Sequence, residues 1–183
     1  LQRRPNMEGR MQILMIYGTI EGQTAKIAKF IAEDLQSAGH KVDLLDTDGI
    51  GQIDVKQADA VILAASVHER RHPKNFEASL IAHQAELAAC PTLLLSVSLN
   101  AAFDEGRPEA AEYVEEMKMR TGLEPDAELL VAGAVRASQY DYFAMQVVQH
   151  VVMRGRDFDR STQEHEFTDW EALATFVEAF LAS

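Results

Sequence analysis

The sequence predicts one doubly wound α/β domain, with a five-stranded parallel sheet covered by helices on both faces. Three observations carry that prediction. Apolar runs of six or seven residues recur along the chain, segments of helical apolar spacing lie between them, and glycine or polar breaks mark the joints.

The first run, Met11-Gln12-Ile13-Leu14-Met15-Ile16-Tyr17, ends at Gly18 and suits a strand covered on both faces. From Gly22 to Ala38 the apolar residues Ala25, Ile27, Ala28, Phe30, Ile31, Ala32 and Leu35 follow helical spacing, and Gly39 supplies a stop. Further strands are expected over residues 41–46, 60–65, 92–97 and 129–135. A helix opened by Pro73 fills 73–89, and another covers 140–153. Thr168-Asp169-Trp170-Glu171 has the form of a capping box ahead of Leu173, Phe176, Val177 and Phe180. Right-handed crossovers between parallel strands place ligands beyond the strands' carboxyl ends. Residues 1–10 read as a flexible tail, in part an appended remnant, and 11–183 as the domain. Residues 155–165 are polar and poor in apolar anchors, which marks a second mobile stretch.

With 183 residues and 47% apolar content, the chain can bury one continuous core. A net charge of −12 disfavours nucleic acid and favours basic or neutral partners. The single cysteine, Cys90, excludes an internal disulfide. No apolar stretch approaches the ~18 residues of a membrane span, and the basic opening Leu1-Gln2-Arg3-Arg4 has no signal-type apolar run after it. A soluble, cytoplasmic protein is expected, able to touch a membrane only at its periphery.

The most informative residues follow the first strand: Thr19-Ile20-Glu21-Gly22-Gln23-Thr24. A turn from a parallel strand into a helix aims free backbone N–H groups and the positive helix end at one spot, which suits an anion such as phosphate. Gly22 permits a close approach or a positive φ, and the Thr19 and Thr24 hydroxyls add neutral donors. A plain helix cap by Thr19 or Thr24 would explain the same spacing. The loop lacks the Gly-Lys-Ser/Thr of nucleoside-triphosphate sites and the G-x-G-x-x-G of dinucleotide folds. A receiver domain would need acidic residues after the first strand and an aspartate at the end of the third, where Gly18-Thr19 and Ser66 stand.

Other features have plainer readings. His68 and His72 are four apart, but Pro73 starts the helix after them and no third ligand is near, so no metal is expected. Glu112, Glu115 and Glu116 suit a solvated helix face. Tyr140, Tyr142 and Phe143 suit core packing, with substrate contact as the alternative.

Tyr17-Gly18-Thr19-Ile20-Glu21-Gly22-Gln23-Thr24 resembles the phosphate loop of flavodoxins, Thr/Ser-x-x-Gly-x-Thr. Ala65-Ser66-Val67-His68, Ser96-Val97-Ser98-Leu99, Ala132-Gly133-Ala134-Val135-Arg136 and Phe167-Thr168-Asp169-Trp170-Glu171 resemble the flavodoxin-type, quinone-dependent protoporphyrinogen dehydrogenases of haem synthesis. The likeness spans about residues 11–182. It implies a flavodoxin-like sheet of order 2-1-3-4-5 and a non-covalent FMN whose phosphate lies among Thr19, Ile20, Glu21, Gly22, Gln23 and Thr24. It further implies that Ser66, Val67, His68, Glu69 and Arg70 line one edge of the ring, opposite Ser98, Leu99, Asn100 and Ala101. Substrate contacts are expected from Arg70, Arg71, Arg136 and Tyr140.

Two departures bear on substrate. Arg70 stands where the family often has glycine, which makes a positive φ harder to reach. Residues 104–128 hold nine carboxylates against Arg107, Lys118 and Arg120, which opposes porphyrin propionates and anionic lipid. The resemblance implies an oxidoreductase that passes electrons from a reduced tetrapyrrole or other donor through FMN to a quinone. The alternatives are an electron carrier that docks on basic redox partners, and a regulatory module with a vestigial flavin site.

Overall fold

The computed structural model describes residues 9–49, 51–136 and 164–183. The chain runs β1(Gln12–Gly18), α1(Gln23–Ser37), β2(Lys41–Asp46), β3(Ala60–Ser66), α2(Lys74–Ala82), α3(Gln84–Ala88), β4(Thr92–Ser98), α4(Arg107–Thr121), β5(Ala127–Ala132), β6(Ala134–Arg136), β7(Glu164–Glu166) and α5(Trp170–Ala182). Strands β1 to β5 form one parallel sheet of order β2-β1-β3-β4-β5, as expected.

Alternating residues of the central strands feed two apolar layers. Ile13, Met15, Ile62 and Leu95 point to one face, under Ile27, Ile31 and Leu35 of α1 and Leu173 and Val177 of α5. Leu14, Ile16, Leu63 and Leu94 point to the other, under Phe76 and Leu80 of α2 and Val114 and Met117 of α4. Strands covered on both faces need side chains that lose little by leaving water on either side, which is why β3 and β4 are largely apolar, with the buried Thr92 and Ser96 hydrogen-bonded to the Cys90 carbonyl and to His72. The switch in strand order lies between β2-β1 and β3, so a crevice opens beyond the carboxyl ends of β1 and β3.

Several boundaries differ from the sequence-based expectation. The fifth strand starts at Ala127 and stops at Ala132 instead of covering 129–135. At Gly133 the backbone changes partners: its N–H donates to the Ser98 carbonyl, its own carbonyl accepts from Phe167 N–H, and β6 then pairs antiparallel with β7. Residues 164 and 165, expected within a mobile stretch, belong to β7. The helix over 73–89 is broken at His83, whose Nδ1 lies 2.9 Å from the Ser79 carbonyl and whose φ of −116° leaves the helical range. Helix α4, for which spacing drew no bounds, has Pro108 in its first turn and Gly122 at φ 68° as its stop. The cap of α5 is Asp169, which accepts from Ala172 N–H at 3.0 Å, and not Thr168. The helix expected over 140–153, including Tyr140, Tyr142 and Phe143, lies outside the described residues, as do residues 1–8 of the tail.

Candidate functional site

The cleft is built outward from the end of β1. Gly18 has no room for a side chain, since a Cβ there would stand 2.9 Å from the Cβ of Phe76. The chain then turns through Thr19, whose Oγ1 accepts from Gly22 N–H at 3.0 Å, and Gly22 takes φ 91° to enter α1. Thr19 thus closes the loop without capping the helix. Thr24, fully buried in the first turn of α1, leaves its Oγ1 with no protein partner. The opening N–H groups of a helix have no intrahelical acceptor, so this loop presents donors to an anion without a lysine or arginine of its own.

The second wall follows β3. Ser66 Oγ is likewise buried without a partner. Val67 N–H extends the ladder to the Val97 carbonyl, and His68 and Arg71 then exchange both backbone hydrogen bonds across a two-residue turn. Glu69 at φ 47° and Arg70 at φ 65° occupy that turn. Arginine at 70 thus adopts the positive φ that glycine would reach more easily, and contacts around the turn offset the strain. Paired backbone bonds on either side fix the turn, and α4 holds the arginine: Arg70 pairs with Glu109 and, at 3.9 Å, with Glu112, and its guanidinium lies 5.2 Å from the ring centroid of Tyr113. Burial and the neighbouring Glu109 push the Tyr113 phenol up to about 12, so it stays neutral.

The third wall follows β4. Ser98 Oγ accepts from Ala101 N–H at 3.2 Å, and Asn100 Nδ2 donates to Glu109 at 3.1 Å and to the Tyr113 hydroxyl at 3.0 Å. Gly106 lets this loop close up, since a Cβ there would stand 2.5 Å from the Asn100 carbonyl oxygen.

These walls bound an open cleft of about 450 Å³, counting space open to solvent. Thr19, Ile20, Glu21, Gln23, Thr24, Ser66, Val67, His68, Ser98 and Leu99 all line it. Gly22, Glu69, Arg70, Asn100 and Ala101, also expected at the site, adjoin the lining residues in sequence without being among them. Val97, Gly133 and Ala134 also line the cleft and were not among the expected site residues. Their signal was the break at Gly133 in an apolar run, which reads as strand until the change of pairing partner is seen. Of the expected substrate residues, Arg70 is held by α4, Arg71 pairs with Glu77 at 2.8 Å, Arg136 is on β6, and Tyr140 lies outside the described residues.

No described residue lining the cleft is a lysine or arginine, and the mouth carries the Glu21–His68 pair at 3.7 Å. Lys26, the nearest basic residue along α1, is turned to Glu166. His72 points away into the protein, 2.9 Å from Ser96 Oγ, and among the described residues no three metal-ligating side chains come together. The geometry suits a ligand with a phosphate at the α1 end, gripped by backbone and hydroxyl donors, and a flat polar-edged group between the β3 and β4 loops.

A family model described as a flavodoxin domain matches residues 14–162. The chain belongs to the flavodoxin domain family. Within it, the chain is 28% identical to the protoporphyrinogen IX dehydrogenase [quinone] of Escherichia coli K12, over 91% of this chain and 93% of that one. It is 27% identical to the protein of the same name from Leishmania major, over 92% of this chain and 74% of that one. Among solved structures, oxidised flavodoxin 1 of Bacillus cereus superposes with a TM-score of 0.57 at 16% identity, over 93% of this chain and 97% of its own. Flavodoxin 2 of the same organism gives 0.52 at 19%, over 93% and 98%. These two likenesses bear on fold alone.

Proposed function

We propose that this flavodoxin-domain protein binds FMN non-covalently in the cleft and is an oxidoreductase that passes electrons from a reduced donor to a quinone. The observation that carries the reading is the pair of buried, unpartnered hydroxyls, Thr24 Oγ1 and Ser66 Oγ, both on residues that line the cleft. A buried polar atom without a partner costs about 1–3 kcal/mol, and a ligand carrying acceptors removes that cost. The similarity to quinone-linked protoporphyrinogen IX dehydrogenases over nine-tenths of the chain supports the choice of reaction.

When bound, FMN supplies the hydride and electron chemistry, and no protein base is needed for it. The remaining work is done by the chain. Thr19, Ile20, Glu21, Gly22, Gln23 and Thr24 surround the phosphate. Ser66, Val67, His68, Glu69 and Arg70 form one edge of the ring site, and Ser98, Leu99, Asn100 and Ala101 the other. With no lysine or arginine among the described lining residues, phosphate is selected by N–H and O–H geometry. The Arg70–Tyr113–Asn100 contacts hold the two ring-side loops at a fixed separation.

A reduced tetrapyrrole is the proposed donor by likeness, and quinone reduction is the firmer half. Arg70 and Arg71 already neutralise Glu109 and Glu77, so each would have to trade a carboxylate of the protein for a propionate. Among the described residues no helix is long and apolar enough to cross a membrane, and the proposed setting is cytoplasmic with at most peripheral membrane contact. A second reading, an electron carrier that docks on basic partners, is favoured by the net charge of −12. A vestigial, flavin-free regulatory module is the third.

FMN-loaded protein assayed anaerobically with protoporphyrinogen and a soluble quinone separates the three. Quinone reduction driven by porphyrinogen supports the oxidoreductase. A yellow protein that exchanges electrons only with redox proteins supports the carrier, and a colourless protein that takes up no FMN removes both.

A further inference from the structure

Three contacts tie the start of α1 to the far end of the chain. Gln23, buried at the first position of α1, donates from Nε2 to Thr168 Oγ1 at 3.0 Å and to Glu166 Oε2 at 3.3 Å. Thr168 Oγ1 lies 2.7 Å from the Ala132 carbonyl oxygen. A hydroxyl has one proton and a carbonyl can only accept, so Thr168 must donate to Ala132 and accept from Gln23, which fixes the direction of both bonds. Glu166 is held in turn by Trp170 Nε1 at 2.7 Å and by Lys26. Burial alone would raise its carboxyl, but hydrogen bonds from Lys26, Trp170 and Gln23 bring it below the usual range, so it stays an anion.

The two groups joined through Thr168 belong to different elements bordering the cleft, the start of α1 and the end of β5. Gln23 adjoins Thr24 at the anion end, while Ala132 precedes Gly133 and Ala134, which also line the cleft. Attachment of α5 does not need the hydroxyl, because Leu173, Val177 and the Phe30–Trp170 ring contact at 4.8 Å already pack it on α1. The hydroxyl is nearly sealed from water, at 9% exposure for the residue, and serves the amide and the carbonyl alone.

We propose that Thr168, backed by Glu166, is a positioning residue that couples the first turn of α1 to the β5 edge of the cleft and so presets the phosphate donors. This rests on reading the cleft as an FMN site. Removing the hydroxyl takes the shorter of two acceptors from the Gln23 amide and the Thr168 donor from the Ala132 carbonyl, which loosens the turn that grips the phosphate, while the ring-side loops keep their own contacts. The effect therefore falls on ligands that carry a phosphate.

The test compares Thr168→Val and Thr168→Ser with the parent protein, by titration with FMN and with riboflavin and by amide hydrogen exchange of residues 19–24 without ligand. Thr168→Val is expected to lose about tenfold in FMN affinity and less than twofold in riboflavin affinity, with about tenfold faster exchange in the loop, and Thr168→Ser to restore all three. Equal losses for the two ligands, or exchange unchanged by the valine, overturn the brace. A parent protein that prefers FMN no more than riboflavin overturns the flavin reading instead, and the exchange arm then judges the brace alone. Should Thr168→Val not fold, Glu166→Gln replaces it, with a smaller loss of FMN over riboflavin expected and an unchanged ratio overturning the proposal.

Discussion

The imidazole Nε2 of His72 lies 2.9 Å from the hydroxyl oxygen of Ser96, and the ring is 1% exposed. Its Nδ1 is buried with no partner. Burial lowers the ring from 6.5 to about 4, with Glu77 opposing that shift and Arg120 adding to it. The folded value is below the unfolded one, so the stability the neutral ring contributes is present above pH ~6.5 and is lost as pH falls towards ~4. A shift of this size corresponds to about 3 kcal/mol. Urea unfolding at pH 7, 5.5 and 4.5 is expected to show that loss, and His72→Gln, though less stable at pH 7, to show a shallower decline. Parallel pH profiles for the two proteins would remove the imidazole as the cause.

Beside it, Glu77 is 3% exposed and carries two arginines of unequal weight. Arg120 reaches both carboxylate oxygens, through Nε at 3.3 Å and Nη2 at 2.7 Å, whereas Arg71 makes one bond at 2.8 Å. Those bonds outweigh burial and hold the carboxyl below its usual range. Taking away the better partner strands a buried anion, so Arg120→Ala is expected to cost about 3 kcal/mol and Arg71→Ala about 1 kcal/mol. Chemical denaturation at pH 7 measures both, and a larger cost for Arg71→Ala would contradict the geometry.

Arg70 sits at φ 65°, where a residue with a Cβ is strained by roughly 1–2 kcal/mol and glycine is not. Both Arg70→Gly and Arg70→Ala lose the exposed pairing with Glu109 and the contact with Tyr113, and only the glycine removes the strain. Arg70→Gly should therefore be more stable than Arg70→Ala by about 1 kcal/mol in urea titration. Equal stability would mean that the turn relaxes when its side chain is cut.

The fold was legible where the physics is local and periodic. Residues 60–65 are apolar at every position and 92–97 are broken only by Thr92 and Ser96, because both faces of these strands are covered. The phosphate-loop residues were legible for a related reason, since Gly22 and the flanking threonines state their backbone needs within six residues. Long-range contacts hid the rest. The end of β5 depends on Gly133 meeting Ser98 and Phe167, far apart in sequence. Thr168 reads locally as a cap, yet its hydroxyl is spent on Ala132 and Gln23, and Asp169 caps the helix instead. Arg70 reads as an obstacle to positive φ until Glu109 and Tyr113 are seen holding it.

Thr24 gives the sharpest test of the cleft because its free and bound states predict opposite effects of one substitution. Without ligand, Thr24 Oγ1 is a buried hydroxyl with no partner, so Thr24→Val, close in shape, should leave stability unchanged or raise it by up to about 1 kcal/mol. With FMN, the same change removes a hydrogen bond to a charged phosphate and should cost about 1.5–3 kcal/mol, or more than tenfold in affinity. Riboflavin affinity should barely move. Lys26→Ala serves as the contrast, since its ammonium is turned to Glu166, and its effect on FMN should be the smaller of the two. Calorimetric titration with both ligands, alongside thermal unfolding of the ligand-free proteins, reads all four quantities. If Thr24→Val destabilises the free protein and leaves FMN binding intact, the hydroxyl has a partner within the protein and the phosphate lies elsewhere.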